Sequence, residues 1–130
     1  MNPFKLIGLP YRLGADPEIH KAADCVSLSR TVLKHYGIKS QQATRDWYRR
    51  LRKKDYSIFK EELEKWGTRT EEPNIGTVSL IIATEGYGLA VYFEEGWLNI
   101  SEGSGVMWSP LGGLLVEEIY CPKKSNYVNS

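Results

Sequence analysis

The chain is 130 residues long, with 42% hydrophobic residues, 25% charged residues and a formal net charge of +1. These values suit a single globular domain able to bury a core unaided; they leave no stretch near the roughly 20 apolar residues of a membrane span and no general electrostatic pull toward nucleic acid. Two cysteines far apart in sequence, Cys25 and Cys121, fit neither a disulfide-dense scaffold nor the paired spacing of a zinc site, so neither metal nor cofactor is expected.

Residues 1–23 read as a lead-in loop, because Pro3, Gly8, Pro10, Gly14 and Pro17 interrupt it too often for a long helix. Its first residues lack the basic, apolar and small-residue regions of a secretory signal, which places the product in the cytoplasm where it is made. Asp24 then caps a helix. On it Cys25, Leu28, Ser29, Val32 and Tyr36, joined by Val26 and Leu33, recur at three- and four-residue steps until Gly37 stops it. Residues 41–66 read as two shorter helices broken near Asp55. Thr44 caps the first, with Trp47, Tyr48 and Leu51; Ser57 caps the second, with Ile58, Glu62, Leu63 and Trp66.

Polar residues 67–76, with Pro73 and Gly76, read as a loop. After them the pattern changes to short β-rich runs at 77–83, 87–93, 97–101, 106–108 and 114–120, with Glu94, Glu95 and Gly96 as a hairpin turn. Helices over 24–66 followed by strands over 77–121 predict one α+β domain spanning 1–130, its first helix packed on an antiparallel sheet of about five strands. The polar tail, 122–130, reads as loose.

Cys25 stands in the first turn of the best-marked helix, where backbone dipoles favour a thiolate. The competing reading is a small buried hydrophobe that packs the helix on the sheet. Cys121 reads as a strand-edge packing residue, and a bond between the two cysteines is disfavoured in a cytosolic product. Acyl transfer by Cys25 also needs a proton shuttle. His35, ten residues further along the same helix, lies roughly 15 Å away along its axis, too far to serve. His20 sits in a loop that can fold back over the helix start and is the candidate substitute base.

Arg45, Arg49, Arg50, Arg52, Lys53 and Lys54 cluster around Trp47 and Tyr48. Such a run is either a solvated helix face or a partner-binding patch, and an acidic protein surface suits it better than DNA. Glu61, Glu62 and Glu64 follow closely enough to neutralise part of it. Trp66, Tyr87, Tyr92, Phe93, Trp97 and Trp108 read as core and sheet-face residues, with Trp97 or Trp108 as a cleft liner or interface anchor.

Several stretches, taken in order, point to a family. Gly8-Leu9-Pro10-Tyr11-Arg12-Leu13-Gly14, then Asp24-Cys25 opening a helix and Gly37-Ile38 ending it, resemble the NlpC/P60 cysteine peptidases, which share a papain-like core. Val91-Tyr92-Phe93-Glu94-Glu95-Gly96 resembles the hairpin after that family's catalytic histidine. Ser101 to Val106, Trp108 to Leu111 and Ile119-Tyr120 resemble its following strands, and the whole looks most like the subgroup found in phage tail gene clusters.

The resemblance implies Cys25 at the nucleophile position and Tyr11 near the substrate cleft, where Asp24 and Trp97 are also expected. It puts the base position on Gly88, or on Leu89 if the register slips by one, and the residue that orients the base near Asn99. Neither Gly88 nor Leu89 accepts a proton, and loss of one member of such a unit costs several orders of magnitude in rate. The expectation is therefore a catalytically degenerate component of a phage tail or baseplate. It would reside in the virion and contact hub, distal tail or tape-measure proteins. The rival expectation is an active peptidase cleaving peptidoglycan stem peptides through Cys25, and a third is a module that grips such a peptide without turnover.

Overall fold

The computed structural model describes residues 2–40, 42–83 and 86–128. The first residue of the predicted lead-in loop, residue 41 of the predicted helical span and the last two residues of the tail lie outside them. The chain is α+β. Its elements are α1 (Pro17–His20), α2 (Cys25–His35), α3 (Arg45–Arg52), α4 (Ser57–Trp66), β1 (Gly67–Thr70), β2 (Val78–Ala83), β3 (Gly86–Tyr92), β4 (Gly96–Ser101), β5 (Gly105–Pro110) and β6 (Val116–Pro122). Single 3-10 turns flank them at Pro3–Leu6 and Lys124–Asn126.

The sequence specifies both ends of α2. Asp24 Oδ1 accepts from the Ser27 amide at 2.7 Å and Ser27 Oγ accepts from the Asp24 amide at 3.0 Å, a reciprocal capping box. At the other end Gly37 takes a positive φ of 73°, Ile38 N–H reaches Leu33 O at 2.9 Å and Gly37 N–H reaches Lys34 O at 3.0 Å, which closes the helix as a Schellman turn. Between these ends Val26, Leu28, Val32 and Leu33 are buried and pack on β3 and β4. Each such side chain contributes roughly 1.5–3 kcal/mol of burial.

The sheet has six antiparallel strands in the order β1-β6-β2-β3-β4-β5. The predicted hairpin turn is present: Phe93 and Gly96 exchange both backbone hydrogen bonds, and Glu94 and Glu95 carry φ of 50° and 58°. Two consecutive left-handed residues are what a two-residue loop needs to match the strand twist.

The sheet carries apolar residues on both faces. The helix side holds the main core, including Leu80, Leu89, Val91, Leu98 and Val106. The other face carries a smaller cluster of Ile81, Ala90 and Trp97, with Tyr92, Leu114 and Val116 packed against it.

Several local expectations are corrected. The lead-in loop contains α1, started by Asp16, whose Oδ1 accepts from the Glu18 and Ile19 amides, with Pro17 in the first turn. Thr44 precedes α3 without a side-chain cap, and Tyr56, not Ser57, occupies the cap position of α4. Ser57 Oγ instead donates to Asp55 Oδ1 at 2.5 Å.

Residues 67–70 are not loop but the edge strand β1, paired with β6 from Gly67–Pro122 to Thr70–Ile119. The tail is tied down through residue 128. Asn126 Nδ2 donates to Trp66 O at 2.6 Å, Lys39 N–H donates to Asn126 O at 2.7 Å and Val128 N–H to Gly37 O at 2.8 Å. Among the described residues no helix is long and apolar enough to cross a membrane.

Candidate functional site

The lead-in segment is stitched to the start of α2. Arg12 N–H donates to Ala23 O at 2.9 Å and Ala23 N–H to Pro10 O at 3.0 Å, so Tyr11 forms a short parallel bridge with Ala23. Two residues before Cys25, the chain is thus fixed beside Tyr11. The same segment runs along β5, with Gly8 N–H on Val106 O and Val106 N–H on Leu9 O, both at 2.9 Å. Gly105 allows that approach: its φ is +70°, and a Cβ there would collide with the Leu9 carbonyl.

Opposite this segment, β3 and β4 pair, among the described residues, only at Val91–Leu98 and Tyr92–Trp97. Away from the hairpin the two strands separate, and a cavity of about 620 Å³ opens in the fork. Cys25 and Tyr11 line it together with Tyr56, Phe59 and Tyr87, and Arg52, Lys54 and Glu102 stand at its wall. That volume falls within the range of small-ligand sites, and an aromatic lining with a few charged groups is their usual make-up.

The thiol in this cavity is poorly disposed to react. Burial pushes Cys25 up from an ordinary value of 9.0 to about 12, and the Asp24 carboxylate beside it pushes the same way. Hydrogen bonding from the Leu89 backbone amide, and from the amides of the first turn of α2, pulls back more weakly. The backbone groups of the helix start favour the thiolate, as the sequence suggests, while desolvation of the anion and the Asp24 charge oppose it and set the net direction upward.

Asp24 itself is 2% exposed, and its oxygens are committed to the fold. Oδ1 caps α2, and Oδ2 accepts from the Gly14 amide at 2.8 Å. Burial, and then the Asp24 charge with its hydrogen bond, raise the Tyr48 phenol above its usual range. Asp24 thus lines the cavity while joining the lead-in segment, α2 and α3.

A pH dependence follows from these groups. Cys25 prefers its neutral form when folded, so its contribution is complete below about pH 9 and is lost as pH rises toward 12. Tyr11, raised from 10.0 to about 12 by burial and then by Cys25 and Asp24, acts in the same direction above pH 10. The urea midpoint is expected to drop between pH 8 and pH 10.5, and Cys25→Ala to flatten that drop. An unchanged slope in the variant would refute the assignment to Cys25.

The other predicted site residues do not converge on the sulfur. Gly88 contributes backbone to the cavity wall, but a Cβ there would sit 3.6 Å from Ile81 Cγ1, on the outer face of the sheet. The side chain on the Cys25 side is that of Leu89, which is 8% exposed and part of the main core. Of the two registers considered for the base position, the one on Leu89 lies on the helix side of the sheet, with its backbone amide within reach of the Cys25 sulfur.

Asn99 also projects to the outer face. Its Nδ2 lies within hydrogen-bonding distance of Trp97 O at 3.1 Å, Met107 O at 3.3 Å and Ser109 Oγ at 3.0 Å, so it braces β4 and β5 and orients nothing in the cavity. Trp97, 2% exposed, fills the outer cluster edge-on to Tyr92 and does not line the cleft. Trp108 donates through Nε1 to Phe93 O at 2.8 Å and is likewise absent from the cavity wall.

Neither histidine lines the cavity. The Nδ1 of His20 accepts from the Asp16 amide at 2.8 Å, within the turn of α1, and His35 packs edge-on to Tyr36 at the far end of α2. His20 as a substitute base is thereby set aside. Cys25 and Cys121 are both unpaired, and the Cys121 Sγ contacts Thr68 O at 3.4 Å. Among the described residues no group of three His, Cys, Asp or Glu side chains is arranged to hold a metal ion.

The basic run divides into different roles. Arg50 turns inward to Asp55, Glu61 and Ser57, with Nε 2.8 Å from Asp55 Oδ2, and those carboxylates raise its hold on its proton still further. It ties α3 to α4 and is corrected from a partner residue to a brace. Arg45, Arg49 and Arg52 are exposed on α3, and Lys53 is exposed just beyond it.

Sequence reasoning missed Tyr56, Phe59 and Lys54 as cavity residues and left Tyr87 among the core aromatics. A strand parity anchored on Leu89 would have brought Tyr87 to the same face, two residues away. No local signal marks Tyr56 or Lys54. No protein-family model matches the chain, and no curated protein matches it.

Proposed function

We propose that this protein is a non-catalytic interaction component of a phage tail or baseplate, built on an NlpC/P60-like, papain-like scaffold that keeps a cleft and lacks the base. The observation that supports the loss of turnover is the environment of Cys25: both histidines lie away from its cavity, and neither Gly88 nor Leu89 at the base position takes a proton. Amide cleavage needs a group that takes the thiol proton and returns one to the leaving nitrogen. A thiol held up to about 12 with an aliphatic neighbour supplies neither step. The tail assignment is supported by the ordered resemblance of the Tyr11, Cys25 and 91–96 stretches to the phage subgroup, and its partners would be neighbouring tail proteins.

Two measurements test the two halves of this reading. Purified protein incubated with peptidoglycan stem peptides is expected to release no fragment that Cys25→Ala abolishes; Cys25-dependent cleavage would make it an enzyme. Purified phage particles are expected to contain the chain at fixed stoichiometry, and its absence from them would remove the structural role. The open cavity favours one alternative, retention of a cell-wall peptide without turnover. In that case stem peptide binds the intact protein and Tyr11→Ala releases it.

A further inference from the structure

We infer that the exposed face of α3 is a docking ridge for an acidic segment of a partner protein. Arg45, Arg49 and Arg52 follow one another at four and three residues, a spacing that puts all three on one side of a helix over about 10 Å. All three are exposed, and with Thr44 and Tyr48 they line an open concavity of about 810 Å³. One carboxylate, Asp46, pairs with Arg49, and among the described residues no ion pair engages Arg45 or Arg52. The concavity therefore holds a surplus of guanidinium charge. Arg30 lies near enough to Tyr48 to influence its proton, and so adds a fourth cation beside the ridge.

The chemistry of the ridge selects its occupant. Guanidinium groups bind carboxylates through paired, parallel hydrogen bonds, and such a pair is stronger and more directional than a lysine contact. A nucleic acid would need a longer cationic track and exposed rings on which to stack bases. Here the aromatic residues of α3, Trp47 and Tyr48, are half-buried against the core, and the chain as a whole is nearly neutral. Arg52 lines both this concavity and the cavity of Cys25, so a segment bound on the ridge would run toward the cleft mouth. The inference deepens the proposed interaction role and rests on it, yet its test leaves Cys25 untouched, so turnover and docking can fail separately.

The test is fluorescence anisotropy at low ionic strength with a labelled glutamate-rich peptide as probe. R45A/R49A/R52A is expected to weaken binding at least about fivefold, and the corresponding triple lysine variant to lose an intermediate part of it. Matching urea midpoints show that the exposed substitutions leave the fold intact. Lys5→Ala with Lys123→Ala, which removes two exposed cations that line neither the concavity nor the surface around Arg30, is expected to change nothing. Equal loss in that control, no effect of the triple variant, or tighter binding of a single-stranded oligonucleotide than of the peptide would each overturn the inference.

Discussion

Leu89→His is expected to convert Cys25 from an inert thiol into one that iodoacetamide alkylates at least about tenfold faster at neutral pH. The argument rests on which face of β3 looks at α2. Residue 88 points toward Ile81 and the outer cluster, whereas residue 89 belongs to the core beneath α2, and its amide already lies within reach of the sulfur. An imidazole placed there could take the thiol proton and hold the thiolate as an ion pair, the arrangement that lowers cysteine pKa values most strongly.

The substitution also puts a polar ring where an 8%-exposed leucine side chain stood, at a cost of about 2–3 kcal/mol. Leu89→Asn carries a similar cost without a base and serves as the control. If both variants alkylate at the same rate, residue 89 does not serve the sulfur, and the account of the missing base fails. Gly88→His, pointing to the other face, should leave the rate near that of the unaltered protein.

Asp24→Ala is expected to lower stability by about 2–4 kcal/mol, read as a shift in the urea midpoint. The carboxylate is buried and satisfies the amides of Ser27 and Gly14 while holding the Tyr48 phenol. Alanine would leave those donors without a partner in a dry site, which costs more than the loss of an exposed cap. Asp24→Asn keeps an acceptor and should recover part of the loss. Both variants remove a negative charge beside the sulfur, so the Cys25 thiol should titrate below about 12, as followed by thiolate absorbance. A wild-type midpoint in Asp24→Ala would show that the lead-in segment does not depend on this carboxylate.

What the sequence made legible, and what it hid, follows from how each element is stabilised. α2 carries its own punctuation in Asp24 and Gly37 and its own apolar stripe, so local rules suffice. β1 does not: Gly-Thr-Arg-Thr has no apolar alternation, and it is a strand because it lies on β6 and because Arg69 reaches Glu118 at 3.0 Å.

The face of β3 was ambiguous for a different reason. Leu89 and Val91 alternate with Ala90 and Tyr92, all apolar, because both faces of this sheet are covered, and alternation then fails to say which side meets the helix. Arg50 reads like its neighbours in a basic run; only its placement against Asp55 and Glu61 reveals a brace. The cavity is similarly non-local, since it exists where β3 and β4 part, and no single stretch encodes that divergence.

The strand order bears on how the protein is made. β6 lies between β1 and β2, so β1 leaves the ribosome well before the strand on which it lies. During that interval the β2–β5 meander can assemble on α2, but one side of β2 presents unsatisfied amides and carbonyls, the kind of border through which nascent chains join one another. Release of β6 both seals that border and gives β1 its place.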